Sequence, residues 1–409
     1  MSAQKMERRT YSFARRVENM GVSAIREILK VTEQPEVISF AGGLPAPELF
    51  PVEALAEANA RVFAEEGAAA MQYSTTEGWR PLREWIARRL IGRGIASAEA
   101  GRILVTSGSQ QGIDLAAKAF LDPGDGVVVE NPCYLAALQV FNGYEAQLLA
   151  VGSDDEGMRV DEVERAIAGA KQKPKLIYVV SQFHNPKGTT LALERRRQLI
   201  EVSRRHGVPI LEDDPYGELR YSGAQLPPLA ALDHDGLVIY LSTFSKTLSP
   251  GMRVGWVHAS DEIIQALVRA KQAADLHTNT IQQRAAATLL ETFDFDGHIE
   301  HIRQVYGERC AVMLECVGKY FPEGVRPTRP EGGLFLWVEL PERVRAEELF
   351  EEALRERVAF VPGAPFFAAK AQHNFMRLNF SNSPPEKIEE GIRRLGQVLT
   401  QMSEQYRER

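Results

Sequence analysis

The stretch Leu237-Val-Ile-Tyr-Leu-Ser-Thr-Phe-Ser-Lys-Thr-Leu-Ser-Pro-Gly-Met-Arg253 opens on an unbroken run of apolar and aromatic residues, then turns abruptly polar. A continuous run of that length reads as a strand buried on both faces, as in a parallel sheet covered by helices. A lone lysine in a loop is ordinarily a solvated surface charge. Lys246, however, follows a buried strand, stands among serines and precedes Pro250-Gly251. That setting suits an amine kept inside a site, where it can form a Schiff base with an aldehyde.

Working outward, the same pattern repeats from about residue 100 to 260. Ile103–Thr106, Val127–Val129, Leu176–Val180, Val208–Leu211 and Val254–Val257 are short β-rich runs with helical stretches between them. The predicted architecture is α/β, a mostly parallel sheet between helices. Beyond a helical region near 280–320, Gly333–Leu340, Ala359–Val361 and Met376–Phe380 read as strands, followed by an amphipathic helix from about 385. These residues form a smaller α+β unit. The N-terminal segment, with apolar spacing at Val22, Ile25, Ile28 and Leu29, is expected to join it. The domain reading is 1–50 with the small domain and the substrate entrance, 51–295 as the large domain, and 296–409 as the small one.

Bulk properties set limits. The chain has 409 residues, 44% apolar and 25% charged, with a net charge of −7. An acidic balance argues against nucleic acid or an anionic membrane as a partner, since both select basic surfaces. Cys133, Cys310 and Cys316 are too few and too irregular for a disulfide framework or a zinc site, and no metal is expected. No apolar leader segment and no membrane-length run is visible, so the reading is a cytoplasmic enzyme.

Ligands of open α/β sheets bind at the carboxyl ends of the strands. Four strands here end in polar clusters: Ser107-Gly-Ser-Gln-Gln-Gly112, Ser181-Gln-Phe-His-Asn-Pro-Lys-Gly188, Glu212-Asp-Asp-Pro-Tyr216 and Ser242–Arg253. Gly108, Ser109 and Gln110 open a helix, whose free N–H groups suit an anion. Ser109 and Thr243 add hydroxyls, and Arg253 a permanent charge matched to a phosphate. Asp213 is chosen over Asp214 as the carboxylate that keeps a pyridine nitrogen protonated, because strand alternation turns only one of the two toward the site. Tyr216 and the Asn185 amide are candidate donors to a phenolate oxygen.

These clusters, with Phe40-Ala-Gly-Gly-Leu-Pro-Ala-Pro-Glu-Leu-Phe-Pro51, Gln72-Tyr-Ser74, Asn131-Pro-Cys-Tyr134 and Arg377-Leu-Asn-Phe-Ser381, stand in one order along the chain. Together they resemble the fold-type I, class I/II aminotransferases, in the branch that contains 2-aminoadipate and kynurenine aminotransferases. The resemblance runs from about residue 20 to the C-terminus. It implies pyridoxal 5′-phosphate as cofactor, bound through Lys246, and a homodimer with shared active sites. It implies that Tyr134 stacks on the cofactor ring, that Ser245 joins the phosphate site, and that Tyr73 reaches the phosphate of the neighbouring subunit. Arg377, helped by Asn185, would bind the substrate α-carboxylate. Gly43 would border the substrate, and Ser23 and Arg26 on the first helix would contact it. Thr243 stands where the family commonly has serine. The implied reaction is ping-pong transfer of an amino group from an L-amino acid of 2-aminoadipate, branched-chain or aromatic type to a 2-oxo acid such as 2-oxoglutarate. Two rivals use the same residues: a β-eliminating lyase or decarboxylase on the same cofactor, and a regulator-type domain without catalysis.

Overall fold

The computed structural model describes residues 11–18, 34 and 36–407. Among these, the main sheet is eight-stranded. Its order is Ile103–Thr106, Gly255–His258, Val238–Thr243, Ile210–Asp213, Leu176–Val179, Gly126–Asn131, Gln147–Asp154 and Gly157–Met158. The central strands from Val238–Thr243 to Gln147–Asp154 pair in parallel, with Tyr178 opposite Leu211 and Asp213 opposite Leu241. Every residue of Ile210–Asp213 and of Val238–Thr243 is buried. Burial on both faces accounts for their unbroken apolar runs.

Two strands depart from the parallel expectation, and the two-residue Gly157–Met158 merely folds back on Gln147–Asp154. Gly255–His258 is antiparallel to both neighbours. A parallel crossover takes a dozen or more residues, usually with a helix, and the loop between Thr243 and Gly255 holds only two single-turn 3₁₀ segments. An apolar run reports burial, and direction is set by the length of the connection.

Helices cover the sheet because their apolar residues recur at helical spacing. Asp261–Gln272 carries Asp261 and Glu262 in its first turn, where the macrodipole favours acids, and buries Ile264, Leu267 and Lys271. Ser109–Phe120 buries Ile113, Leu115, Ala116 and Ala117. Leu193–His206 ends on Gly207 in the left-handed region.

The smaller sheet is antiparallel, in the order Arg326–Pro327, Phe335–Glu339, Phe375–Asn379 and Val361–Pro362. The run expected as one strand at Ala359–Val361 is divided. Val358–Ala359 pairs with Ile38–Ser39, whereas Val361–Pro362 pairs with Met376 and Arg377. The helices Phe295–Tyr320 and Pro385–Arg407 pack on each other. Most buried apolar side chains of both sheets join one continuous core. Among the described residues, no helix is long and apolar enough to cross a membrane.

Candidate active site

The strand ends converge on a cavity of about 280 Å³. Lys246 lies in its wall, in the 3₁₀ turn after Val238–Thr243, and its Nζ donates to the Gly43 carbonyl at 2.7 Å. Burial, with Arg377 and Arg253 nearby, lowers the Lys246 ammonium to about 8. An amine so placed is uncharged in a useful fraction near neutral pH, as a nucleophile or proton carrier requires.

Asp213 ends its strand inside the cavity, whereas the neighbouring Asp214 points the other way. Asp214 is held by Arg93 Nη2 at 2.8 Å and by the Tyr240 hydroxyl at 3.0 Å. Pleat alternation separates the two acids. The Asp213 Oδ2 atom accepts a 2.8 Å hydrogen bond from the Tyr178 hydroxyl. Its Oδ1 is buried and has no protein partner among the described residues. Burial pushes the Asp213 carboxyl up to about 7; the Tyr178 hydrogen bond opposes the rise and the charge of Asp214 adds to it. A buried carboxylate oxygen without a partner is costly unless a cationic donor meets it, and a pyridinium N–H fits that requirement.

The opposite end is cationic and rich in free N–H groups. Gly108, at φ +79°, precedes the helix Ser109–Phe120, and no side chain caps that start. A Cβ on Gly108 would lie 2.7 Å from Arg253 Nη2, so only glycine lets the guanidinium come this close. A Cβ on Gly255 would strike the Gly108 carbonyl carbon at 2.7 Å and Ser109 N at 2.9 Å. Gly108, Ser109, Gln110, Ser245 and Arg253 all line this end of the cavity. The Thr243 hydroxyl also lines it, but it is engaged with Val254 O at 3.0 Å and Ser245 Oγ at 2.9 Å. Thr243 therefore orients Ser245 more directly than it offers a free donor. Cradle, lysine and unpartnered carboxylate together fit pyridoxal phosphate.

Arg377 closes a third side. It is almost fully buried, with its guanidinium 4.4 Å from the Phe335 ring centre and 5.2 Å from that of Phe366. Nη1 donates to Asn185 Oδ1 at 2.8 Å and Nη2 to the Ala41 carbonyl at 2.6 Å, while Nε has no partner among the described residues. Burial lowers the Arg377 guanidinium to about 10, with Tyr216 and Tyr134 opposing the fall. It stays charged near neutral pH. Tyr134, Asn185, Tyr216 and Gly43 complete the wall, and the Asn185 amide meets the Tyr216 phenol.

Among the described residues, one expected side chain, that of Tyr73, is not in this cavity. Tyr73 is 79% exposed, and its ring meets His277 edge-on at 5.9 Å. Ser23 and Arg26 lie outside the described residues. Sequence reasoning passed over Tyr178 and Phe335. A tyrosine in a fully buried strand needs a partner for its hydroxyl, and that was a usable signal for Tyr178. Phe335 begins an ordinary apolar strand, and no pattern marks it. A larger groove of about 830 Å³ lies beside Arg89, Arg93 and Glu218, but these three charges are already paired.

Residues 35–395 match the family described as aminotransferase class I and II. An aromatic-amino-acid aminotransferase of Thermococcus litoralis is 45% identical over 95% of this chain and 94% of its own length. A 2-aminoadipate transaminase of Thermus thermophilus is 43% identical over 95% of this chain and 96% of its own. The crystal structure of an α-aminoadipate aminotransferase from Thermus thermophilus, complexed with N-(5′-phosphopyridoxyl)-L-leucine, superposes with a TM-score of 0.89. It has 42% identity and covers 95% of this chain and 97% of that one.

Proposed function

Because the chain belongs to the class I and II aminotransferases, we propose that it carries the amino group of a 2-aminoadipate, aromatic or branched-chain L-amino acid to 2-oxoglutarate. The carrying observation is one cavity that holds a half-buried lysine, an unpartnered buried carboxylate oxygen, a cationic N–H-rich cradle and a buried arginine. When bound, pyridoxal phosphate supplies an aldehyde for the amino group and a ring that accepts electrons from the substrate Cα.

The chain's own groups do the rest. Arg253 and the first N–H groups of Ser109–Phe120 would hold the phosphate by charge-assisted hydrogen bonds. Asp213 Oδ1 would keep a proton on the pyridine nitrogen, with Tyr178 anchoring the other oxygen. Tyr216 and Asn185 would donate to the cofactor's phenolate oxygen, and Tyr134 would hold its ring. Arg377 takes the substrate α-carboxylate through its unpartnered Nε, and its Nη bonds to Asn185 and Ala41 set the plane of the fork. Lys246 Nζ then takes the Cα proton, since burial and its two cationic neighbours keep it readily deprotonated. Gly43 limits the substrate side, where a Cβ would lie 3.1 Å from Phe335. Tyr73 projects from the chain to serve the partner's site in a homodimer.

The substrate range is supported by the names of the relatives, which span acidic, aromatic and aliphatic side chains. A panel of amino donors with 2-oxoglutarate, read by glutamate formation, tests the proposal. Parallel double-reciprocal lines are expected. Ammonia or carbon dioxide released without need of an oxo-acid acceptor would overturn it in favour of a lyase or decarboxylase.

A further inference from the structure

Lys271 poses a problem that catalysis leaves open. It lies on Asp261–Gln272, and its side chain is fully buried (0% exposed). An ammonium is expensive to bury, and packing alone would be served by methionine or leucine. What distinguishes lysine here is what its Nζ contacts. It donates to Asp275 Oδ1 at 2.7 Å and Oδ2 at 2.8 Å, and to Gln111 Oε1 at 2.9 Å. Gln111 Nε2 donates to Asp275 Oδ2 at 2.7 Å, and Gln111 Oε1 also accepts from the Ser107 backbone N–H at 2.8 Å.

The charges leave the Gln111 amide one orientation. Turned over, its NH₂ would face two donors and its oxygen a carboxylate. In the permitted orientation the Ser107 N–H is engaged, and the Ser107 carbonyl accepts from Arg253 Nη2 at 3.0 Å. Ser107 also begins the loop that presents Gly108 and the free N–H groups of the helix at Ser109. The far side of the loop after Lys271 is pinned as well, by Thr278 Oγ1 donating to Val105 O at 3.2 Å. An unbroken chain of hydrogen bonds thus runs from the buried Lys271 ammonium and its more exposed partner Asp275, through Gln111 and the Ser107 peptide, to the arginine of the cradle.

We infer that Lys271, Asp275 and Gln111 are positioning residues that hold the phosphate cradle in its gripping geometry, although none of them touches the cofactor. The inference rests on the reading that Arg253 and the turn at Ser109 take the cofactor phosphate. It extends the cradle to residues that act through the orientation of one peptide and one guanidinium.

The test compares a ligand that has the phosphate with one that lacks it. Lys271→Met, Gln111→Leu and Arg253→Ala are made in the full chain, and the cofactor is resolved from each. Dissociation constants for pyridoxal phosphate and for unphosphorylated pyridoxal are measured from the absorbance of the lysine-bound form. The ³¹P resonance of each reconstituted holoenzyme is recorded alongside. In Lys271→Met and in Gln111→Leu, pyridoxal phosphate should weaken roughly tenfold or more, pyridoxal should stay within about twofold, and the ³¹P shift should move. Gln111→Leu changes no charge and carries the test alone should Lys271→Met fail to fold. Equal weakening of both ligands would mean general loosening and would overturn the inference. Unchanged discrimination in both variants, with Arg253→Ala losing it, would overturn the inference and leave the phosphate site standing. If Arg253→Ala also kept its discrimination, the phosphate reading itself would fall.

Discussion

Asp213→Asn should stabilise the cofactor-free protein above neutral pH while weakening its hold on the cofactor. Asp213 is 2% exposed, accepts one hydrogen bond from Tyr178, and has a carboxyl pushed up from 3.8 to about 7, chiefly by burial. The fold therefore keeps this proton up to about pH 7, whereas the unfolded chain releases it near pH 4. Across that window the folded state binds more protons, so stability falls as pH rises and stays lost above about 7. Three units correspond to about 4 kcal/mol. Over 409 residues the unfolding entropy is about 0.9 kcal/mol per degree, which makes the shift up to about 5 °C. Asparagine cannot ionise, and its amide oxygen still accepts from Tyr178. Thermal unfolding of resolved protein by circular dichroism should show the variant gaining about 3 °C near pH 8 relative to its effect near pH 5, since the interval from pH 5 to 7 is worth about 2.7 kcal/mol. In the holoenzyme the sign reverses, because the amide cannot hold a proton on the pyridine nitrogen. Tyr178→Phe removes the one hydrogen bond opposing the rise, and should widen the pH dependence of the resolved protein. A difference between Asp213→Asn and wild type that is the same at both pH values would refute the reasoning.

Lys246→Ala should abolish both the yellow colour of the lysine-bound cofactor and turnover; absorption spectra and an amino-donor assay check this, and wild-type turnover would remove Lys246 from the site. Arg377→Lys should raise KM for donors and acceptors together, by roughly ten- to a hundredfold, because the charge remains but the planar fork is lost. Steady-state kinetics on both substrates decide it, and a rise confined to one would contradict a shared carboxylate site. Arg26→Ala should lower kcat/KM for 2-aminoadipate or glutamate by roughly ten- to a hundredfold while leaving leucine much less affected. The ratio of specificity constants, measured in single turnover, reads this; an unchanged ratio would remove Arg26 from substrate recognition.

By itself the sequence determined the α/β core and the polar clusters at its strand ends, because burial on both faces demands continuous apolar runs and the residues after them lie at the sheet edge. Lys246, Asp213, Asn185 and Ser109 were legible for that reason, each standing a few residues past such a run. The choice of Asp213 over Asp214 was legible too, since side-chain alternation is a local property of a strand. Three-dimensional packing decided what no short window contains. Arg377 meets Asn185, 192 positions away in sequence, only because the small sheet closes against the strand ends. The rings of Phe335 and Phe366 that flank it are, in sequence, indistinguishable from core. The antiparallel course of Gly255–His258 follows from a connection too short for a crossover, which an apolar run cannot report. Lys271 is, in sequence, one more charge on a helix, and only folding buries it against Asp275 and Gln111. Periodicity records how much water each side chain sees, whereas partners are chosen by which elements touch, and that is settled only when the chain is folded.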